Sequence, residues 1–315
     1  MQAQAIANAI VFQAPQQLLV KALDLPQPGA GEIEVQVEFS GISTGTERLL
    51  WDGTMPAFPG MGYPLVPGYE SVGYVVGMGS GVDLALGTRV FVPGAQCFTG
   101  VHNLFGGSAS RLVVQQSRTV AVQTSLGAEA LLMALAATAQ HALAGGAPPD
   151  LIIGHGVMGR LLARLTVAAG HPAPIVWELN PARQTGAEGY SVCSPNDDTR
   201  RDYRSIYDVS GDSGILDKAI ARQAPGGEVV LAGFYKQSLS FAFAPAFMRE
   251  TRIRIAAQWQ REDLLKVTAL AHSGQLSLKG LITHTEQPAH AEAAYQTAFG
   301  DADCLKMILD WNHSA

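Results

Sequence analysis

A short apolar run, Leu151 to Ile153, feeds straight into Gly154-His155-Gly156-Val157-Met158-Gly159, and Arg160 to Ala169 follows with apolar residues at helical spacing. This strand–loop–helix order constrains the chain more than any other stretch. Each glycine has its own physical reason. Gly154 permits a tight turn, Gly156 lets a diphosphate approach the backbone, and Gly159 lets helix pack close against strand. His155, Val157 and Met158 complete the cradle, with His155 expected beside the phosphates as a bystander, not as an acid or base. The helix start adds unpaired N–H donors and the positive end of its dipole. A second apolar run, Ile175 to Trp177, ends in Glu178, about twenty residues beyond the loop. A carboxylate there accepts hydrogen bonds from ribose hydroxyls and repels a 2′-phosphate, so NAD is expected over NADP. Arg183 pulls the other way, because a guanidinium can hold that phosphate.

The surroundings of the loop change period along the chain. In the first third, short segments rich in β-branched or aromatic residues (Ile33 to Phe39, Ser71 to Gly77, Arg89 to Pro93, Ser110 to Val114) are closely punctuated by Gly and Pro. Many short strands with frequent turns predict a barrel-like all-β unit. The middle third alternates. Ala128 to Ala144 is Ala/Leu-rich and helical, and apolar runs recur at Leu151 to Ile153, Ile175 to Trp177, Ile206 to Val209, Glu228 to Ala232 and Ile253 to Ala257. Strands alternating with helices predict a parallel sheet with crossover helices. The tail carries two helical stretches, Glu262 to His272 and Ala289 to Phe299, and a last strand, Lys306 to Asp310. The expected division is a β unit over residues 1–122, rejoined by 275–315, and a nucleotide-binding unit over 123–274.

Bulk properties narrow the function. The chain has 315 residues, 47% hydrophobic and 15% charged, which is globular and large enough for two cores. Its net charge of -6, with no Lys/Arg block, leaves no electrostatic footprint for nucleic acid. Met1 to Phe12 lacks the basic start and apolar core of a secretory leader. The Ala/Leu-rich stretch Ala130 to Ala139 is too short to span a bilayer and is expected to be a buried helix. Cys97, Cys193 and Cys304 are odd in number and far apart, which fits thiols in a reducing cytoplasm.

An all-β unit followed by such a nucleotide unit resembles the medium-chain dehydrogenase/reductase superfamily over nearly the whole chain. Ser40-Gly41-Ile42-Ser43-Thr44-Gly45-Thr46-Glu47 is similar to that family's CGxC-GTD segment with one inserted residue, and Pro67-Gly68-Tyr69-Glu70-Ser71-Val72-Gly73 to its PGHExxG segment. Pro225-Gly226-Gly227 before Val229 to Gly233 matches its late strand. The resemblance implies an α/β architecture: an N-terminal GroES-like β-barrel catalytic domain plus a Rossmann domain with a doubly wound parallel sheet. In the zinc-dependent members a Cys and a His hold catalytic zinc where Ser43 and Tyr69 stand here. Neither is a usual zinc ligand, so no metal is expected. The four-cysteine structural zinc lobe is also missing, since only Cys97 lies in that region.

Within the superfamily, Gly45 to Trp51, the stretch from Met55-Pro56 to Glu70, Phe105-Gly106-Gly107 and the ending Asp303 to Trp311 resemble the bacteriochlorophyllide dehydrogenase branch. That resemblance implies a bacteriochlorophyllide-type tetrapyrrole substrate, oxidation of its 1-hydroxyethyl group to acetyl, NAD as acceptor, and a homodimer paired at sheet edges near Leu239 to Phe243. It also implies a cytoplasmic enzyme, with an apolar product that fits a peripheral link to the photosynthetic membrane. Without zinc to acidify the hydroxyl, a side chain must take the proton. Tyr69 is the first candidate, Thr46 matches the family's hydroxyl relay, Glu47 and Glu70 orient or accept the proton, and Ser43 is a structural hydroxyl at the old ligand position. Trp51, Phe58, Met61 and Tyr63 form a candidate apolar wall for a flat pigment, though core packing explains them equally well. Two other functions stay open: a zinc-free quinone or enoyl reductase using NADPH, against which Glu178 argues, and a non-catalytic tetrapyrrole carrier, for which a nucleotide cradle would be needless.

Overall fold

The computed structural model describes residues 5–56, 59–256 and 258–312. The chain divides into two compact units, Met1–Ala134 with Lys279–Ala315, and Leu135–Leu278. From sequence alone these limits fall earlier, after residues 122 and 274.

The first unit is built of short strands: β1 (Ala5–Ala14), β2 (Gln17–Leu25), β3 (Glu32–Ile42), β4 (Leu65–Val66), β5 (Ser71–Met78), β6 (Arg89–Val92), β7 (His102–Asn103), β8 (Arg111–Gln115) and β9 (Val120–Ala121), with one helix, α1 (Thr46–Asp52), after β3. One sheet runs β2-β1-β4-β7. The other is completed by two strands from the far end of the chain, β16 (His284–Glu286) and β17 (Met307–Asp310), in the order β16-β17-β3-β5-β6-β9, with β8 also on β3. The long strand β3 is the hub. It buries Ile33, Val35 and Val37 at period two and pairs antiparallel with β5, β8 and β17. Its last residues set the site: Ser40 pairs with Ser71, Gly41 with Ile308 and Ile42 with Met307. The segments entering β5 and β17 therefore lie beside the end of β3. The core packs Phe12, Leu50, Trp51, Tyr295 and Trp311 among aliphatic side chains.

A 3-10 segment, Thr124–Leu132, leads into α2 (Met133–Ala144). From sequence this is one helix from Ala128. Instead the 3-10 segment, kinked at Gly127 (φ 53°), runs on through Leu132, and only the part from Met133 is α-helical. Thr124–Ala144 has 21 residues and mean hydropathy 1.2, long and apolar enough by length and composition to cross a membrane. Here Ala130 to Met133, Ala136, Ala137 and Ala139 are buried in the protein, as a core segment would be.

The second unit is a parallel sheet of β10 (Leu151–Ile153), β11 (Ile175–Trp177), β12 (Ser191–Cys193), β13 (Tyr203–Asp208), β14 (Gln223–Leu231) and β15 (Arg252–Ile255), in the order β12-β11-β10-β13-β14-β15. Counted within the unit this is 3-2-1-4-5-6, the doubly wound order that places a nucleotide where the winding reverses. Helices α3 (Val157–Ala168), α4 (Ile215–Arg222), α5 (Phe243–Met248) and α6 (Arg261–His272) accompany it, and α7 (Ala291–Gly300) belongs to the returning tail of the first unit. Amphipathic α4 buries Ile215, Leu216, Ala219 and Ile220 in a core with Ile206, Val229 and Leu231. Gln260 and Asp263 form a reciprocal capping box that starts α6.

The strands read from sequence are present with their ends moved by a few residues. Seven others escape that reading: β1, β2, β4, β7, β9, β12 and β16. β2 is mostly exposed and so lacks an apolar alternation, and β12 and β16 are three residues each with no fully buried position. Leu239 to Phe243, expected at a pairing edge, is no strand: it is the approach to α5, and the outermost strands of the sheet are β12 and β15.

Candidate active site

The nucleotide cradle lies where β10 meets α3. Gly154 has φ +104°, a conformation that L side chains rarely adopt, and a Cβ there would sit 3.2 Å from the backbone of Ser210. Gly156 is the N-cap of α3, and the space where its side chain would be is empty of protein atoms within 4 Å. A Cβ on Gly159 would come within 1.9 Å of the Gly154 carbonyl oxygen, so helix and loop touch backbone to backbone. Val157 opens α3 and is buried, while Met158 is half-buried.

Glu178 ends β11 and is held against the loop: its Oε2 accepts from the His155 amide at 3.1 Å and its Oε1 from the Asn180 amide at 2.8 Å. Carboxylate oxygens have spare lone pairs, so Glu178 can still accept from a sugar hydroxyl. His155 lies elsewhere than expected. Its ring is fully buried, with Nδ1 2.6 Å from the Arg183 carbonyl and Nε2 2.8 Å from the Tyr190 hydroxyl. Burial depresses its pKa to about 4, so it is a neutral ring donating at Nδ1 and accepting at Nε2. It braces the turn beneath the loop, and only its backbone belongs to the cradle. Arg160 completes that brace: buried, it donates to the carbonyls of His155, Arg183, Thr185 and Gly186. The half-buried Arg183 therefore stands on a turn fixed through its own carbonyl. At the neighbouring strand end, buried Asp208 accepts from Ser210 and from the Tyr235 hydroxyl.

In the first unit the ends of β3, β5 and β17 bring together side chains far apart in sequence. Ser43 Oγ and the Tyr69 hydroxyl are 2.6 Å apart, and the Thr46 side chain lies near enough to pull the phenol's pKa slightly down. The Tyr69 ring meets Phe105 edge-on at 5.4 Å. Burial, with the carboxylates of Glu70 and Glu47 nearby, raises the phenol well above its ordinary range. Tyr69, the first candidate for the base, is therefore a neutral hydrogen-bonding group at physiological pH. Glu47 lies 1% exposed on α1, accepting from the Tyr295 hydroxyl at 2.7 Å and from the Ser43 amide at 3.2 Å. Burial raises its carboxyl to about 7, against the opposing pull of the Tyr295 bond and the Lys306 charge. A carboxyl poised near neutrality is suited to take and return a proton. Glu70 is fully buried and ion-paired with Lys306, itself 2% exposed.

The apolar wall divides. Trp51 is buried in the core, stacked on Tyr295 with centroids 6.0 Å apart and edge-on to Phe12, so it packs and lines no surface. Met61 and Tyr63 are half-buried at the core's margin, and the Tyr63 hydroxyl donates to the Leu50 carbonyl. Phe58 lies outside the described residues.

Tyr295, Lys306 and Arg160 were not singled out from sequence. A lysine inside Cys304-Leu305-Lys306-Met307-Ile308-Leu309 was the available signal, since an ammonium in an apolar strand needs a partner. Catalytic zinc, implied by some members of the superfamily, does not fit this donor set. The two matching oxygens bond to each other, Glu70 is engaged by Lys306, and no three His, Cys, Asp or Glu side chains among the described residues could hold a metal ion.

Residues 29–124 match the alcohol dehydrogenase GroES-like domain. The chain is 57% identical to the 2-desacetyl-2-hydroxyethyl bacteriochlorophyllide A dehydrogenase of Rhodobacter capsulatus, over 96% of this chain and 98% of that one. It is 53% identical to the enzyme of that name from Cereibacter sphaeroides, over 98% and 99%. Among solved structures, an Escherichia coli alcohol dehydrogenase in complex with NADH superimposes with a TM-score of 0.82 at 22% identity, covering 97% of this chain and 99% of that one.

Proposed function

This chain belongs to the 2-desacetyl-2-hydroxyethyl bacteriochlorophyllide A dehydrogenase family, within the medium-chain alcohol dehydrogenases, and from that premise we propose that it oxidises the 1-hydroxyethyl side chain of a bacteriochlorophyllide precursor to acetyl, with NAD as hydride acceptor and no catalytic zinc. It is an oxidoreductase acting on CH–OH donors. The reaction takes a hydride from the carbinol carbon and a proton from its hydroxyl, leaving ketone, NADH and H⁺. The nicotinamide, when bound, supplies the hydride acceptor.

This chain's residues do the rest. Gly154, Gly156 and Gly159, with the first amides of α3, hold the diphosphate, and Glu178 accepts from the adenosine ribose hydroxyls. Tyr69 contacts the substrate hydroxyl as a neutral phenol and, with Ser43 and Thr46, carries its proton inward. Glu47 is the terminal acceptor and Tyr295 orients its carboxylate. The observation that carries this division is the buried Glu47 carboxyl, raised to about 7 and bonded to the amide of Ser43, whose own hydroxyl meets the Tyr69 phenol. Met61 and Tyr63 are the wall against which a flat macrocycle packs. That conjugated ring shares positive charge developing at the attached carbon, which makes a missing Lewis acid tolerable.

The test is to incubate the protein with the hydroxyethyl pigment and either NAD or NADP, following NADH formation and the pigment's absorption shift, with and without chelator. Turnover with NAD that survives chelation is expected. Activity lost to chelator together with stoichiometric zinc would refute the metal-free mechanism. Turnover with NADP alone would move the ribose contact from Glu178 to Arg183, and pigment binding without turnover would make the protein a carrier.

A further inference from the structure

We propose that Lys306 is a positioning residue of the reaction: through its buried ion pair with Glu70 it fixes the Tyr69 phenol on the Ser43 hydroxyl and presents a fixed positive charge to the proton-accepting carboxylate. The proposal rests on the function proposed above for the hydroxyl cluster.

Three features of the fold serve this one contact. Lys306 enters β17, whose register against β3 pairs Met307 with Ile42 and Ile308 with Gly41. Its carbonyl accepts from the Thr283 and His284 amides at 3.1 Å, so the backbone beneath the ammonium is pinned. Gly41 makes the room. A Cβ there would lie 2.3 Å from Glu70 Oε2 and 3.0 Å from Lys306 Cε, so β3 gives up a side chain where the pair sits. Glu70 is then held twice, its carbonyl accepting from the Gly41 amide at 2.8 Å and its carboxylate meeting Lys306.

Tyr69 is the next residue back along the chain. Anchoring Glu70 at both ends sets the backbone from which the phenol reaches Ser43, and Phe105 holds the ring's edge. A buried ion pair is a poor way to gain stability, since apolar side chains of similar volume do as well or better. Its place beside the reactive hydroxyls assigns it to orientation and charge. The groups facing Glu47 from the elements around it are Tyr295 on α7, Lys306 just before β17, Glu70 and Tyr69 ahead of β5, and Ser43 on the approach to α1. Lys306 favours ionised Glu47 more than Glu70 opposes it.

The test uses the full-length protein, the hydroxyethyl pigment and NAD, and the variants K306M, K306R, G41A and K306M/E70L. K306M is expected to lower kcat at least about tenfold, with KM for NAD little changed, because a displaced contact group costs that much or more. It is also expected to move the acid limb of kcat/KM upward, by up to about one pH unit. K306R keeps the charge and recovers most of the rate. G41A displaces the carboxylate and lowers kcat with Lys306 still present. K306M/E70L leaves no unpaired buried charge and recovers the melting temperature but not kcat. A folded double variant with unaltered kcat and pH limb would overturn the proposal. The ¹³Cζ NMR signal of Tyr69, assigned with Y69F, gives a readout independent of turnover: it should shift in K306M and stay in K306R. An inactive parent protein whose Tyr69 signal responds in this way sinks the substrate reading and keeps the positioning role, whereas an active parent with an unresponsive signal does the opposite.

Discussion

The two functional regions of this chain are built on opposite plans. The nucleotide cradle is made by backbone within six consecutive residues, Gly154 to Gly159, and side chains matter there chiefly by being absent. The hydroxyl cluster is made by side chains from residues 43–47, 69–70, 295 and 306, and strand register brings them together. The first plan tolerates any surroundings that keep a strand before the loop and a helix after it. The second exists only when β3, β5, β17 and α7 are all in place. The glycine loop is therefore specified by local spacing, whereas the hydroxyl cluster depends on strand register.

If the division is right, E47Q should have the largest effect. Loss of a positioned base costs on the order of a hundredfold or more, so kcat should fall by at least that in a protein that still folds and binds NAD. The parent's kcat/KM should rise with pH through about 7, because the acceptor must be ionised, and that limb should vanish in E47Q. A surviving limb would move the base elsewhere. The glycines come next. G156A places a methyl in space free of protein atoms and should leave melting unchanged while weakening NAD at least about tenfold. G159A forces a Cβ within 1.9 Å of a carbonyl and should cost about 1–3 kcal/mol of stability as well. Equal melting losses for the two would erase the distinction between cradle and packing glycine.

Stability should betray the cost of the buried acid. Glu47 has a carboxyl raised from 4.5 to about 7 on folding, so its contribution is complete below pH 4.5 and is lost as pH rises through 7. Above pH 7 E47Q should be more stable than the parent by about 1–2 kcal/mol, a discounted share of the shift, and the gap should close toward pH 4.5. Thermal melts across that range measure it. The smallest effect separates the two regions directly. His155 has a pKa depressed to about 4, so its neutral form and the brace it makes persist down to that range, and their stabilising contribution fades only as pH falls from 6.5 through 4. The Kd for NAD should stay flat between pH 6 and 8 while kcat/KM climbs. Parallel pH dependence of both would mean that the two regions share a titrating group.

The difference in plan also explains what could be read in advance. The loop and Glu178 were legible because spacing along the chain is all they need. Ser43 and Tyr69, where zinc-dependent members of the superfamily carry Cys and His, were legible as candidates because they fall inside short segments of fixed pattern. His155 was misplaced, because nothing in the hexapeptide reveals that Tyr190 and the Arg183 carbonyl wait to receive its ring. Trp51 stayed open between a pigment wall and the core because its partners, Phe12 and Tyr295, are distant in sequence. Tyr69 is the first candidate for the base while its neighbours are unknown; its burial, with two carboxylates nearby, raises the phenol and turns attention to Glu47. Lys306 and Tyr295 were invisible as site candidates because they come from the end of the chain: the pairing of β17 with β3 brings in Lys306, and α7 brings the Tyr295 hydroxyl to Glu47.

That late return has a consequence for biosynthesis. A ribosome finishes β3, α1 and β5 early, then makes residues 135–278 before α7 and β17 emerge. The nucleotide-binding half can mature while its sister waits with the last four residues of β3, Phe39 to Ile42, unpaired on the β17 side, and with Glu47 lacking the Tyr295 phenol and the Lys306 charge. Since domains fold as units during synthesis, the β half is the aggregation-prone apprentice of the pair. Nascent chains stalled before α7 should recruit holding chaperones to that open edge, and release should depend on the last thirty or so residues.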